Sequence, residues 1–495
     1  MKRHAFLLVL VLLPFRAEAQ SNWNQSLGGS VYAAAFGFMT PRTLDPIPLA
    51  DLTLWGLRGL TALDPSIAPS MTPHYIALND RGSVVLSLPL PKADDTAAWA
   101  ALASTLCGRA AALSPAVAQA GTSGIITSFF DELFNHLDPY SRYIAPEQAS
   151  AALEIADPGF AITVTRHRAV VGNVDPTGPA AAAGVLPGDA ILAIDGVPTR
   201  GQDGYTLNAA LAGAAGSEVT LRIEHRRARP RSLSLTRVTT SPVTVTSSLA
   251  GRNLLLQITG FETGTAEEFR QQVVANLGAR PDLRGLIIDL RGNRGGLLEQ
   301  AVAVADSLIG SGTIARAEGR DPSADQLWQA TSGDIAVGLP LAVLVDGRTA
   351  SAAEVLAAAL ADDRRGVVIG SATFGKGLVQ AATVLPDGGH LLVTWARLLA
   401  PLGWPLQGLG VMPQLCTSGS ADTMESQLEA LTGGQQPMAA TLAADRAARP
   451  GIPLDQILQL REACPAALGS SLDLQAAQFL LSTPPAYQAA LIPPG

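Results

Sequence analysis

Three lysines occur in the chain, Lys2, Lys92 and Lys376, and arginine supplies every other basic side chain. A guanidinium cannot lose its proton in a protein, whereas an ammonium can. A retained lysine therefore marks a place where an amine is of use. Lys2 stands in a charged N-terminal segment, and Lys92 follows Pro91 in a polar stretch. Lys376 lies in Thr373-Phe374-Gly375-Lys376-Gly377-Leu378-Val379-Gln380, between glycines and apolar residues. Upstream is Thr349-Ala350-Ser351-Ala352-Ala353-Glu354. A hydroxyl and an amine on one domain suggest a serine nucleophile with a lysine base. Lysine is a base only when neutral, and a wall of Phe374, Gly375, Gly377 and Leu378 would favour the neutral form. Gln380, four residues on, would share a face with Lys376 and orient its amine. The plainer alternatives are a loop lysine and a serine that only caps a helix, with Glu354 completing a capping box.

The elements that must hold these residues are legible as periodicity. Leu341–Val345 predicts a strand and Ala352–Ala361 a helix, so Ser351 falls at a strand-to-helix turn, where the helix N-terminus favours a developing anion. Asp289-Leu290-Arg291-Gly292-Asn293-Arg294-Gly295-Gly296 follows a predicted strand, Leu286–Leu290, and opens a predicted helix, Leu297–Ile309. Its free N–H groups could hold an oxyanion or a phosphate. The spacing is neither the phosphate-loop nor the dinucleotide fingerprint.

Strands and helices alternate over 244–415, with Leu254–Ile258, Ala266–Leu277, Val367–Ile369 and Leu391–Trp395 completing the series. This predicts an α/β domain with buried strands. Over 157–240 short β-type runs surround an Asp195-Gly196 hairpin turn and two short helical segments, which predicts a small barrel. Residues 20–150 are rich in Ala and Leu and read as helical. Two of their segments close in Leu-Asp-Pro, at 63–65 and 137–139, where proline ends a helix. Residues 416–495 read as a helical tail.

At 495 residues, 47% apolar and 15% charged, the chain has material for two to four domains. The formal net charge is −8, and no basic run argues for nucleic acid. Lys2-Arg3-His4, the apolar Ala5–Phe15 and Ala17-Glu18-Ala19 form a secretory signal pattern over 1–19. It predicts a mature start at Gln20 and a periplasmic protein, with peripheral membrane association compatible. In such a compartment Cys416 and Cys464 could pair; the alternative is three free thiols with Cys107. No Cys/His/Asp cluster has metal-ligand spacing, so no metal or cofactor is expected.

Taken together, the motifs resemble the C-terminal processing peptidases, also called tail-specific proteases. The resemblance covers roughly residues 125–415. It runs through Leu-Asp-Pro-Tyr-Ser-Arg-Tyr (137–143), the PDZ-like 157–240, Asp-Leu-Arg-x-Asn-x-Gly-Gly (289–296), Ser-Ala-x-Glu (351–354), Phe-Gly-Lys-Gly-x-Val-Gln (374–380) and Gln407-Gly408-x-Gly410-Val411-x-Pro413. It implies a multidomain α/β protein with a Ser-Lys protease core at 244–415. It implies Ser351, Lys376 and Gln380 as catalytic residues, and Ala352 with Gly295 or Gly296 as oxyanion donors. The PDZ-like domain would take a peptide strand and its terminal carboxylate at Gly159, Phe160, Ala161 and Ile162. Substrates would be proteins or peptides with apolar C-termini, and the helical N- and C-terminal regions are candidate surfaces for a homo-oligomer. Arg294, Arg348 and Ala212 depart from the family pattern. A non-catalytic periplasmic peptide-binding scaffold is the alternative, disfavoured by the intact Ser351, Lys376 and Gln380. A nucleotide-binding protein would need a Walker-type Lys-Ser/Thr pair, which is lacking.

Overall fold

The structure, a computed structural model, describes residues 22–148, 155–165, 168–175, 178–202, 204–225, 228–238, 243–331 and 333–491. The signal pattern at 1–19 lies outside the described residues. The chain divides into two compact units, Met1–Ala149 with Gln380–Thr394, and Ser150–Val379 with Trp395–Gly495.

In the first unit four helices, Gln25–Arg42, Leu49–Leu63, Thr96–Leu113 and Pro115–Phe134, pack around Tyr32, Phe36, Trp99, Phe129 and Phe130. Asn24, Asp95 and Ser114 cap three of them, each side chain accepting a first-turn N–H. The helical reading of this region misses a three-stranded sheet, Ile67–Met71, Tyr75–Asp80 and Ser83–Pro89. Its signal was Arg81-Gly82, both with positive φ, at the tip of a tight hairpin between β-branched residues. Arg142–Ile144 pairs antiparallel with the His390–Leu392 segment of a returning strand. That hairpin was read as part of the protease core, yet its Leu385, Leu391 and Val393 are buried in the helical core.

The second unit holds the small barrel and the α/β core. The barrel sheet runs Arg231–Thr236, Glu218–Glu224, Ala190–Ile194, Arg168–Val174, Phe160–Thr165. Its last strand is an edge, flanked by the helix Gly204–Leu211. Asp195 and Gly196 make the expected hairpin turn with positive φ. The buried Arg237 guanidinium closes the C-terminal end of that helix, donating to the Leu211 and Ala210 carbonyls at 2.7 and 3.3 Å.

The core sheet has five parallel strands, Asn253–Ile258, Gly285–Asp289, Leu341–Val345, Val367–Gly370 and Leu415–Cys416, with Val245–Ala250 antiparallel at one edge. A parallel sheet must be covered on both faces. Leu286, Ile288 and Val343 point to the side of Thr265–Ala279, Leu298–Asp306 and Ala352–Asp362. Ile287, Ala342 and Leu344 point to the other side, covered by Ala421–Thr432, Ser471–Ser482 and Pro484–Ala490. The C-terminal tail is thus the second face of the core. Cys416 and Cys464 are disulfide-bonded, with Cα atoms 5.8 Å apart, which fixes the tail to the last core strand. Cys107 is a buried free thiol near the Tyr32 hydroxyl, and burial pushes its pKa up to about 12.

Candidate active site

The strand Leu341–Val345 ends at Asp346, whose buried carboxylate ties the following turn. Its Oδ1 accepts the N–H groups of Arg348 at 2.9 Å, Thr349 at 3.1 Å and Gly292 at 2.9 Å. Burial opposes ionisation of Asp346, but the Gly292, Arg348 and Gly469 amides and the Arg348 charge hold its pKa below the ordinary value. Arg348 does not intrude on the serine; its side chain is half exposed and pairs back onto Asp346. The chain then turns through Ser351, at φ 57° and ψ −122°, and becomes helical at Ala352. Positive φ is rare for a residue with a side chain and marks a position held by its surroundings. A plain N-cap sits in the extended region, so capping alone does not account for Ser351.

Glu354 is what holds it. The carboxylate is fully buried. Its Oε2 accepts the Ser351 N–H at 2.8 Å, as the capping box predicts, and also the Lys376 N–H at 2.9 Å. Its Oε1 accepts the Gly375 N–H at 2.7 Å and the Thr373 hydroxyl. Burial pushes the Glu354 pKa up, and the four donors pull the other way. One carboxylate therefore fixes the turn bearing Ser351 and the loop bearing Lys376.

The Lys376 loop is clamped from its far side too. Arg461, in the tail helix Leu454–Glu462, donates to the Thr373 carbonyl at 2.7 Å and the Leu409 carbonyl at 2.6 Å. Gly377 N–H donates to Gln407 Oε1 at 3.0 Å, and a Cβ at Gly377 would lie 2.2 Å from the Gln407 nitrogen. The Gln-Gly-x-Gly motif thus wraps the lysine loop. Lys376 itself is half buried, Leu378 and both glycines are buried, and Phe374 is 54% exposed. The expected apolar wall therefore lacks Phe374.

The glycine turn meets the serine directly. A Cβ on Gly295, at φ +96°, would lie 2.8 Å from Ser351 Cβ and 3.0 Å from the Ala352 nitrogen. Only glycine permits that approach. Ala352 is the first helical residue, so its N–H has no intrahelical acceptor. Asn293 anchors the turn, donating to the Ile258 carbonyl at 2.8 Å and accepting the Gly295 N–H at 2.8 Å. Of the two glycines expected, Gly295 thus has its N–H taken by Asn293. Arg294 is exposed.

Gln380 belongs to the first unit, in the strand Leu378–Val384. Lys376 precedes that strand in irregular backbone, so strand alternation does not fix the relation of the two. Gln380 Nε2 donates to Thr394 Oγ1 at 3.1 Å, and Thr394 Oγ1 donates to Asp138 Oδ1 at 2.7 Å. Ser141 Oγ accepts the Thr394 N–H at 2.9 Å. Asp138 and Ser141 come from the Leu-Asp-Pro-Tyr-Ser segment, which reads from its residues as a helix end and, through the resemblance, as one of the family motifs, with no role given to either residue. Thr373, Thr394 and Arg461 carried no signal of a role.

In the barrel, Gly159 N–H donates to Asp157 Oδ1 at 2.7 Å, and the Phe160 and Ile162 side chains are buried in the barrel core. Ala161 lies between them on the edge strand. Among the described residues no group of His, Cys, Asp or Glu is arranged to hold a metal ion, and no helix is long and apolar enough to cross a membrane.

Residues 253–416 match peptidase family S41, and residues 170–225 match the PDZ domain. A carboxy-terminal-processing protease of Bartonella bacilliformis is 34% identical over 303 residues, 59% of this chain and 69% of that protein. A chloroplastic C-terminal processing peptidase of Tetradesmus obliquus is 34% identical over 302 residues, 56% of this chain and 64% of that protein. Among solved structures, a photosystem II D1 C-terminal processing protease is 27% identical, covering 73% of this chain and 92% of that one, with a TM-score of 0.40.

Proposed function

Because the chain belongs to the carboxy-terminal-processing protease family, serine-type peptidases of family S41 with a PDZ domain, we propose that it cleaves peptide bonds through Ser351 with Lys376 as base. The single observation that carries this is the Glu354 carboxylate, which fastens Ser351 and Lys376 by adjacent hydrogen bonds from one oxygen. In this reading the Lys376 amine takes the Ser351 hydroxyl proton as Oγ attacks the carbonyl carbon. The amine then returns the proton to the leaving nitrogen, and water hydrolyses the acyl-enzyme by the same route. The Ala352 and Gly296 N–H groups receive the oxyanion. Gln380 is the third catalytic residue, on the Lys-to-Gln spacing of the motif.

The proposed substrates are exported proteins with apolar C-termini. The PDZ domain would select them by strand addition at Gly159–Ile162 and by their terminal carboxylate. The proposed location is the periplasm, reached through cleavage before Gln20, and the Cys416–Cys464 bond suits an oxidising compartment. Self-association through the helical regions remains part of the proposal.

The test is cleavage of an unfolded substrate carrying an apolar C-terminal tail, as free acid and as amide. The free acid is expected to be cut several-fold or more faster, since charge-assisted hydrogen bonds contribute about 1.5–3 kcal/mol each. Equal rates overturn the C-terminal recognition and leave the peptidase reading standing.

A further inference from the structure

The strand expected to take peptide already has a partner. Phe160–Thr165 is the edge of its sheet, and Ile162 is paired on one side with Val171. On the open side the Asn208 carboxamide, from the flanking helix Gly204–Leu211, makes two bonds to the main chain of Ile162. Ile162 N–H donates to Asn208 Oδ1 at 2.8 Å, and Asn208 Nδ2 donates to the Ile162 carbonyl at 2.9 Å. One carboxamide thus presents the donor and the acceptor that one residue of an added strand would present. At the head of the same strand the Gly159 N–H is taken by a carboxylate of the chain itself, Asp157, at 2.7 Å.

We propose that Asn208 is the gate of the peptide groove, a side chain that stands in for ligand backbone and that an incoming C-terminal peptide must displace. This rests on the reading of the PDZ domain as a C-terminus binder. The occupant is a peptide added as an antiparallel or parallel strand along 160–163, ending in a free carboxylate. Its affinity is lowered by the two Asn208 bonds it has to replace, so the groove is selective against short or weakly pairing peptides.

The experiment uses the full chain with Ser351→Ala, so that bound peptide is not cut. The probe is a fluorescein-labelled peptide with three apolar C-terminal residues, as free acid and as amide. Asn208→Ala is a favourable exchange within a helix, and thermal unfolding checks the fold. Asn208→Ala is expected to bind the free acid about tenfold more tightly, which is about 1.4 kcal/mol. It should also speed hydrogen exchange at the Ile162 amide, with protection restored by peptide. Equal or weaker binding by Asn208→Ala, with the parent binding the acid over the amide, overturns the gate alone. Absence of binding by both the parent and Asn208→Ala overturns the peptide-binding reading and the gate with it.

Discussion

Ser351 and Lys376 share one oxygen: Glu354 Oε2 accepts the backbone N–H of each, at 2.8 and 2.9 Å. Chain segments 25 residues apart are thereby held in register by a carboxylate with no exposure to solvent. The contact explains why Ser351 keeps a backbone conformation that a serine rarely adopts.

The first prediction follows from it. Glu354→Gln keeps the shape but turns an NH₂ toward N–H groups that need an acceptor. Unsatisfied buried donors cost about 1–3 kcal/mol each, so the variant should lose about 2–5 kcal/mol in urea unfolding. Displacing the serine or lysine by an ångström lowers the rate about 100-fold. Full activity in a stably folded Glu354→Gln would refute the role.

A second prediction concerns Gln380. Asp138 can only accept when ionised, so the one Thr394 hydroxyl proton goes to it. The Thr394 oxygen must then accept, which obliges Gln380 to present its NH₂ there and turn its carbonyl oxygen away. The chain Asp138–Thr394–Gln380 thus sets the orientation of the carboxamide within its own unit. Thr394→Val removes the constraint while Asp138 Oδ1 keeps the Tyr140 and Ser141 amides at 2.9 and 3.0 Å. It should lower kcat roughly tenfold, about 1.4 kcal/mol, with KM and Tm little changed, and Thr394→Ser should restore it. An unchanged kcat in Thr394→Val, with Gln380→Ala inactive, would show that the hydroxyl does not set Gln380.

A third prediction is a pH dependence of stability. Arg446 is buried between two carboxylates, bonded to Asp445 at 2.8 Å and to Asp362 at 3.3 Å. Burial pushes the Asp445 pKa up from 3.8 to about 6, Arg446 pulls it down and Asp362 adds to the rise. A carboxyl with a raised pKa in the folded state takes up a proton on folding. Its stabilising contribution is present below the ordinary value and is lost as pH rises through about 6. Unfolding between pH 4 and 6 should show a fall of up to about 1.4 kcal/mol per pH unit from this group. Asp445→Asn should flatten that slope; an identical slope in the variant would assign it elsewhere.

What was legible in the sequence had local causes. Fully apolar runs such as Leu341–Val345 announce buried parallel strands, and the scarcity of lysine singles out Lys376. Glu354 was visible only as a cap, because the pattern Ser-x-x-Glu is local while its bonds to Gly375 and Lys376 span more than 20 residues. Asp138 read as a helix end, since its partner Thr394 is 256 residues away. The sheet at 67–89 was hidden by the Ala and Leu richness of its flanks. Phe374 read as apolar wall, but hydrophobicity alone does not say which side of a loop faces solvent.

The most direct measurement is the peptidase activity of Ser351→Ala, Lys376→Ala and Lys376→Arg beside the parent, with Tm recorded for each. The Ser351–Lys376 account predicts that all three fold and all three lose activity by about 10³-fold or more. Lys376→Arg is the decisive arm, because its guanidinium keeps the charge and reach but cannot act as a base. Substantial activity in Lys376→Arg would contradict the account.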